Sequence, residues 1–309
     1  MKRKRNYIKC IKKNEKLKNI SQICILNNMD FIYFNEGFLY YCDFNTLNRK
    51  FGKQLFNSIH NIYLTHDLKI LCSHSRNKFS IISINSEKKE FSIDKTFIIE
   101  NNLPIETFYS IEIQNKNILS YSTNKMKFFD MKNYQNINSI IFSFEIMNIF
   151  EIKTTNELIL TYENSKINFL NMNLLTLLSN PIKINILYKN SQNICQLTNE
   201  IVSIGYNKGF ILINIFTHLI IKKLNVSDLN ITNIITLSSN FFIIRNEPQH
   251  KLIPSLIFFY KINEENNDCI LIHKDLIDSE ITNLKYLSSN LLMTISTEAL
   301  KIIEFELKI

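Results

Sequence analysis

The stretch Asn199–Phe216, NEIVSIGYNKGFILINIF, reads as strand, tight turn, strand. Ile201, Val202 and Ile204 form an apolar run, Tyr206-Asn207-Lys208-Gly209 a polar turn, and Phe210–Ile215 a second run. Short runs rich in β-branched and aromatic residues, bounded by turn residues, mark strands. Gly209 is expected to take the positive φ of the hairpin turn. The second strand closes on Leu212-Ile213-Asn214-Ile215: two apolar residues, one polar, one apolar.

That ending recurs along the chain. Its polar residue falls at Asp43, Ser83, Asp130, Asn171, Asn214, Lys261 and Glu304, at spacings of 40, 47, 41, 43, 47 and 43 residues. A short apolar strand precedes each one: Phe31–Phe34, Ile70–Ser73, Ile118–Tyr121, Leu158–Tyr162, Ile201–Ile204, Phe241–Arg245 and Leu291–Ile295. Seven strand pairs with a period in the low forties match the four-stranded blade of a β-propeller. The weaker outer strands are expected at Ile62–Leu64 and Phe91–Ile93 in the second unit, and at Ile194–Leu197 and Leu219–Leu224 in the fifth. Asn171–Leu178, NMNLLTLL, has residues that favour helix. Its place between a third strand and the next unit argues for a strand connection instead. Two long spacings carry extra residues, around Glu100–Leu103 and at Asn246–Pro254.

The seventh unit leaves no residues for a fourth strand, because its third strand runs to about Glu306 and the sequence given stops at Ile309. Asn6–Ile11 has strand-forming residues and no partner of its own. The economical arrangement is that it supplies the missing strand, which also removes an exposed sheet edge. The expected fold is therefore all-β: a single seven-bladed β-propeller, closed by an N-terminal strand that completes the last blade. Six blades with a decorated terminus, or eight, stay open. Residues 1–19 form a basic arm with the closing strand, and residues 20–309 the propeller.

Composition narrows the function classes. The chain has only four glycines and four prolines and no Trp, so Asn is expected to do turn work that Gly and Asp do elsewhere. The formal charge of +8 is local: residues 1–19 hold nine basic side chains and one acid, leaving 27 of the 36 basic and 27 of the 28 acidic residues in a neutral body. A pI of about 9.0 thus does not describe a basic nucleic-acid-binding surface across the domain. No apolar run approaches the ~20 residues of a membrane span. The charged N-terminus lacks the apolar region of a secretory signal. Cys10, Cys24, Cys42, Cys72, Cys195 and Cys269 have neither disulfide-framework nor zinc-site spacing and read as reduced thiols.

With seven such units the chain resembles the WD-repeat β-propellers over nearly all of residues 20–309. The family's signature Trp position is filled by Cys42, Ile82, Phe129, Leu170, Ile213, Tyr260 and Ile303, all apolar or aromatic. The Asp that follows survives at Asp43 and Asp130 and is approximated by Asn171 and Asn214. His60, 23 residues before Ser83, sits where the family's structural histidine falls, with Asn77 near its expected Asp partner. The resemblance implies a scaffold that assembles multi-protein complexes.

No catalytic constellation stands out. There is no GxGxxG, GxxxxGK[ST] or GxSxG, and no cofactor is expected. His66 and His74, with Asp67 beside them, read as turn or surface histidines rather than metal ligands. Glu264-Glu265 and Asp278/Glu280 read as solvated turns. Two stretches carry candidate recognition. Lys2, Arg3, Lys4 and Arg5 resemble a nuclear localisation signal or phosphate-binding arm, through which RNA would be held by phosphate neutralisation. Arg245, Glu247, His250 and Lys251 lie on the lengthened turn of the sixth unit and form a candidate partner-binding loop. The resulting expectation is a non-enzymatic scaffold, a monomeric subunit of a nuclear hetero-complex concerned with ribosome biogenesis or another ribonucleoprotein particle. The alternative is a cytoplasmic adaptor, such as a vesicle-coat or ubiquitin-ligase receptor subunit.

Overall fold

The computed structural model describes residues 7–17, 20, 22–35, 37–75, 78–98, 109–113, 117–122, 124–130, 135–178, 180–184, 194–226, 231–238, 240–246, 254–263, 266, 268–279, 281–288, 290–296 and 298–306. Among these residues all regular structure is strand. The first, β1 (Tyr7–Asn14), belongs to a compact unit formed by residues 1–19 and 147–309; residues 20–146 form a second unit.

The unit 20–146 holds three four-stranded antiparallel sheets in which each strand pairs with the next. They are β2 (Ile23–Ile25), β3 (Phe31–Asn35), β4 (Phe38–Cys42) and β5 (Arg49–Gln54); β6 (Ile59–Leu64), β7 (Ile70–His74), β8 (Lys78–Asn85) and β9 (Glu90–Ile98); and β10 (Tyr109–Ile113), β11 (Asn117–Ser122), β12 (Lys125–Asp130) and β13 (Asn136–Ile141).

The other unit holds four. Its first sheet is β14 (Ile146–Ile152), β15 (Glu157–Tyr162), β16 (Lys166–Asn171) and β17 (Thr176–Leu177), with β18 (Ile182–Lys183) also on β16. Its second is β19 (Ile194–Gln196), β20 (Ile201–Tyr206), β21 (Gly209–Asn214) and β22 (Ile220–Asn225), and its third β23 (Ile231–Ser238), β24 (Phe241–Asn246), β25 (Pro254–Asn263) and β26 (Asp268–Ser279). The last is β27 (Ile281–Ser288), β28 (Leu291–Ser296) and β29 (Leu300–Glu306), and β1 completes it: Tyr7 pairs Glu306 and Asn14 pairs Leu300. The described residues thus form seven sheets, and the N-terminal strand takes the place expected of it.

Burial explains the sequence pattern. All five residues of β7 and all six of β15 and β20 are buried, so both faces of these strands are covered. A strand covered on both faces reads as a continuous apolar run rather than an alternation. Outer strands such as β5 and β13 are largely exposed; β5 is accordingly polar, while β13 leaves Ile137 and Ile141 in solvent. Phe169, Val202, Ile204, Ile211 and Ile213 belong to one apolar cluster, packing the sheets of β16 and β20 together.

In three sheets the polar residue that ends the third strand has a turn-capping role. Asp43 Oδ1 accepts from the Thr46 amide at 2.8 Å, Asn171 Oδ1 from Asn173 and Leu174 at 2.9 and 3.0 Å, and Asn214 Oδ1 from Phe216 and Thr217 at 3.0 and 2.9 Å. These are Asx turns. The left-handed positions fall elsewhere. Leu47, Leu175 and His218, each four residues after such a cap, have φ of 54, 53 and 56°. Lys89 stands four after Asn85 with φ 54°. Each costs roughly 1–2 kcal/mol relative to glycine.

Asn therefore does here the turn capping that Asp43 also does, but not the positive-φ work of Gly; among the described residues ten non-glycine residues have positive φ, and of these only Asn156 is Asn. In the opening hairpin Lys208 takes the positive φ, 76°, not Gly209. Gly209 is required for a different reason: a Cβ there would lie 1.9 Å from the Leu224 carbonyl oxygen across the β21–β22 pair. Asn171–Leu178 forms an Asx turn and β17, with no helix.

Candidate protein-interaction surface

Two turns of neighbouring sheets frame a cleft. The β14–β15 turn covers 153–156 and the β19–β20 turn 197–200. Between them lies a cavity of about 750 Å³. Phe150, Leu197 and Ile201 supply apolar wall, and Glu151, Lys153, Thr154, Gln196, Thr198, Asn199 and Glu200 the polar lining. Gln196 Nε2 donates to the Thr198 carbonyl at 3.1 Å and reaches Thr154 Oγ1 at 3.4 Å, linking the two turns. Thr198 Oγ1 accepts from the amides of Glu200 and Ile201, both at 3.1 Å, which fixes the second turn. Cys195 also lines the cleft, with Sγ 2.8 Å from Thr236 Oγ1, and burial pushes its pKa up. It is held as the thiol, the form unsuited to nucleophilic work.

A third turn, 215–219, abuts this cleft, since the Ile215 amide donates to the Glu200 carbonyl at 2.9 Å. Its polar groups are tied internally. Besides the two amides capped by Asn214, the His218 amide donates to the Asn214 carbonyl at 2.9 Å, and the Asn214 amide to the Leu219 carbonyl at 3.0 Å. The His218 ring turns inward, Nε2 2.9 Å from Glu157 Oε2 and stacked on Phe169 with centroids 4.1 Å apart. Asn156 Nδ2 donates to Asn173 Oδ1 at 2.8 Å, joining the β14–β15 turn to the β16–β17 turn. A rigid rim results, and on it Phe216, Leu219 and Leu174 are 60, 67 and 70 % exposed.

The residues singled out in the sequence are distributed differently. Arg245 lies within β24, not in a loop, and is 3 % exposed. Its Nε and Nη2 donate to Thr232 Oγ1 at 3.0 and 2.7 Å, and Nη1 donates to the Ile281 carbonyl. It ties β23, β24 and β27 together and has no surface left for a partner, so it leaves the candidate loop. Glu247, His250 and Lys251 lie outside the described residues, as do Lys2, Arg3, Lys4 and Arg5 and the pair Glu264-Glu265. Glu280 and the Asp278 side chain do too.

His66 lies in the turn between β6 and β7, and His74 ends β7. The His66 amide donates to Glu112 Oε2 at 2.6 Å. His74 Nε2 is 2.8 Å from Ser80 Oγ, which is 2.7 Å from Thr96 Oγ1, so a histidine–hydroxyl chain crosses β7, β8 and β9. His60 falls in the bulge between Ile59 and Asn61; His74, not His60, makes the histidine–hydroxyl network. Burial depresses the His74 pKa to about 4. Among the described residues no three His, Cys, Asp or Glu side chains converge as a metal site would require.

The first sheet has its own polar cluster. Asp30 accepts from Tyr41 Oη and the Phe44 amide, each at 2.9 Å, and from Lys50 Nζ at 3.1 Å. Burial pushes the Asp30 pKa up, but these hydrogen bonds outweigh it and leave the carboxyl below its ordinary value. Lys50 also bridges Asp43 at 3.0 Å, so the cluster locks the turn after β4 to the turn before β3.

No protein-family model matches the chain, and no curated protein does. Solved structures match it over nearly its whole length. The chain is similar to the WD40 repeats of RRP9, with a TM-score of 0.68 at 8 % identity, covering 97 % of each chain. It is similar to U3-55K, with a TM-score of 0.68 at 8 % identity over 96 % of this chain and 98 % of that one. It is also similar to a chain of the Mitotic Checkpoint Complex, with a TM-score of 0.72 at 11 % identity over 96 % and 90 %. Identities this low establish the fold alone. The chain has the all-β propeller fold that these WD40-repeat structures share.

Proposed function

We propose that this propeller is a non-enzymatic scaffold of seven blades, one for each sheet, that holds proteins together in a multi-subunit nuclear assembly. The observation that carries the reading is the rigid rim around the cleft of β14 and β19. Its turns are fixed by their own hydrogen bonds while large apolar side chains face solvent. Apolar anchors held rigid before binding lose little entropy on binding, as protein–protein hot spots require. The likeness to a chain of the Mitotic Checkpoint Complex, at the level of fold, agrees with a subunit's role. Among the described residues no helix is long and apolar enough to cross a membrane.

The nuclear part rests on Lys2, Arg3, Lys4 and Arg5, which we assign as an import signal or phosphate-contacting arm, with ribosome biogenesis or another ribonucleoprotein particle as its setting. Glu247, His250 and Lys251 are assigned a partner-binding role on the lengthened β24–β25 turn. Affinity purification of the tagged full chain, with mass spectrometry of what co-purifies, tests the scaffold. Stoichiometric recovery of nuclear ribonucleoprotein subunits is expected. Recovery of vesicle-coat or ubiquitin-ligase subunits would replace this setting with a cytoplasmic adaptor's.

A further inference from the structure

Among the described residues each sheet ends in an outer strand: β1, β5, β9, β13, β22 and β26, with the two-residue β17 and β18 in the remaining sheet. Such an edge presents N–H and C=O groups to any extended chain, and charged side chains, Lys above all, keep other strands off it. Most of these edges carry such charges. β1 has Lys9, Lys12 and Lys13, β5 has Arg49, Lys50 and Lys53, and β22 has Lys222 and Lys223. β9 has Glu90, Asp94 and Lys95, and β26 has Asp268, Lys274 and Asp275. β13, Asn136-Ile137-Asn138-Ser139-Ile140-Ile141, has none. Of the outer strands longer than two residues, it alone is uncharged.

Side chains and backbone of β13 both face outward. Ile137 and Ile141 are 55 and 70 % exposed. The Phe142 amide donates to the Asn124 carbonyl at 2.7 Å, on the side of β12. Pairing then runs without a shift from Ile141 with Lys125 to Asn138 with Phe128. Backbone groups alternate sides along an antiparallel strand, so Ile140 and Asn138 turn theirs toward β12, while Ile141 and Ser139 turn theirs to the open edge. At that edge the Ser139 amide donates to Oδ1 of its own neighbour Asn138 at 2.7 Å, a contact that a strand partner would replace.

We propose that β13 pairs with β13 of a second copy of this chain, antiparallel about a two-fold axis at Ser139, so that two sheets become one. The outward backbone groups of Ser139 and Ile141 call for an extended segment, and charge selects which one. A two-fold pair sets a strand against itself, so like charges near the axis repel. That repulsion falls on the lysines of β1, β5 and β22 and leaves β13 free. In this register Ile141 of each copy stands opposite Ile137 of the other, and Ile140 opposite Asn138. Four exposed isoleucines then leave water together. The inference goes beyond the scaffold reading: two copies joined in this way present every docking surface twice.

Sedimentation equilibrium of the full chain over a series of concentrations tests this. A ladder so short buries less than the ~1,200 Å² of a stable interface, so a reversible monomer–dimer equilibrium in the micromolar range is expected. Ile141→Lys places a cation on the edge and should weaken dimerisation roughly tenfold or more, with a thermal melt like the wild type's. Ile137→Glu should do the same. Mixed together, Ile141→Lys and Ile137→Glu should pair with each other more tightly than either pairs with itself, because the register sets Lys against Glu. Misfolding cannot produce that gain. A wild type that stays monomeric at every concentration, a dimer that neither variant weakens, or a mixture no tighter than its parts would each overturn the proposal. None of these outcomes touches the co-purification result on which the scaffold reading stands or falls.

Discussion

His218, from the turn after β21, places Nε2 2.9 Å from the carboxylate of Glu157 at the start of β15. A turn of one sheet is thereby pinned to its neighbour by a residue held at φ 56°, a conformation that side-chain docking must stabilise. His218→Ala leaves the largely buried Glu157 carboxylate without this partner and removes the stack on Phe169. A loss of about 1–3 kcal/mol in urea unfolding is expected. Glu157→Gln keeps a hydrogen-bonding group and should lose less. Unchanged midpoints for both would show that the bridge is not formed in solution.

Glycine placement gives two opposite outcomes. Gly209→Ala puts a methyl group where the Leu224 carbonyl stands and should destabilise by about 3 kcal/mol or more. Lys89→Gly relieves an exposed left-handed residue and should stabilise by about 0.5–1 kcal/mol, the relief being partly offset by glycine's greater freedom in the unfolded chain. Chemical denaturation of the two variants beside the wild type checks both signs.

Acid should act in two windows. The His74 pKa is about 4 when folded, against an ordinary 6.5, because burial disfavours the charged ring. The unfolded chain therefore takes up the proton first. Its contribution to stability is complete above about pH 6.5 and is lost as pH falls toward 4. Asp43, held at about 2 by the Thr46 amide and by Lys50, adds a second loss between its ordinary 3.8 and 2. His74→Gln should flatten the melting temperature between pH 6.5 and 4 while leaving the lower step. A slope unchanged in the variant would assign the first window to another group.

Deleting residues 1–12 removes most of β1 and exposes the edge of β29 together with the apolar surface around Phe305, against which Ile8 packs. A markedly lower melting temperature and a rise in aggregation are expected. A truncated chain that melts with the full one would mean that the pairing contributes nothing to stability.

The repeat was legible because its inner strands are covered on both faces: Leu158–Tyr162 and Ile201–Ile204 must be apolar almost throughout, and the Asx caps Asp43, Asn171 and Asn214 must follow them. The rim was not legible. Leu174 and Phe216 look like core residues in a chain where apolar side chains are everywhere, and only their exposure separates them. Arg245 misled in the opposite sense, since its place beside the lengthened turn suggested a surface loop while Thr232 Oγ1 and the Ile281 carbonyl, from two other strands, hold it buried. A position-by-position comparison of the turns after each third strand is the signal that would have found the rim.

The sequence by itself determined the period, the strand pairs and the N-terminal strand that joins the last sheet, because hydrophobic burial and turn chemistry act over a few residues at a time. Tertiary structure decided which residues take positive φ, why Gly209 is glycine, which histidine bonds a strand hydroxyl, and which turns share a rim. Those depend on close approach between residues far apart in the chain, such as His218 with Glu157 and Gly209 with Leu224. Distance of that kind has no trace in local composition.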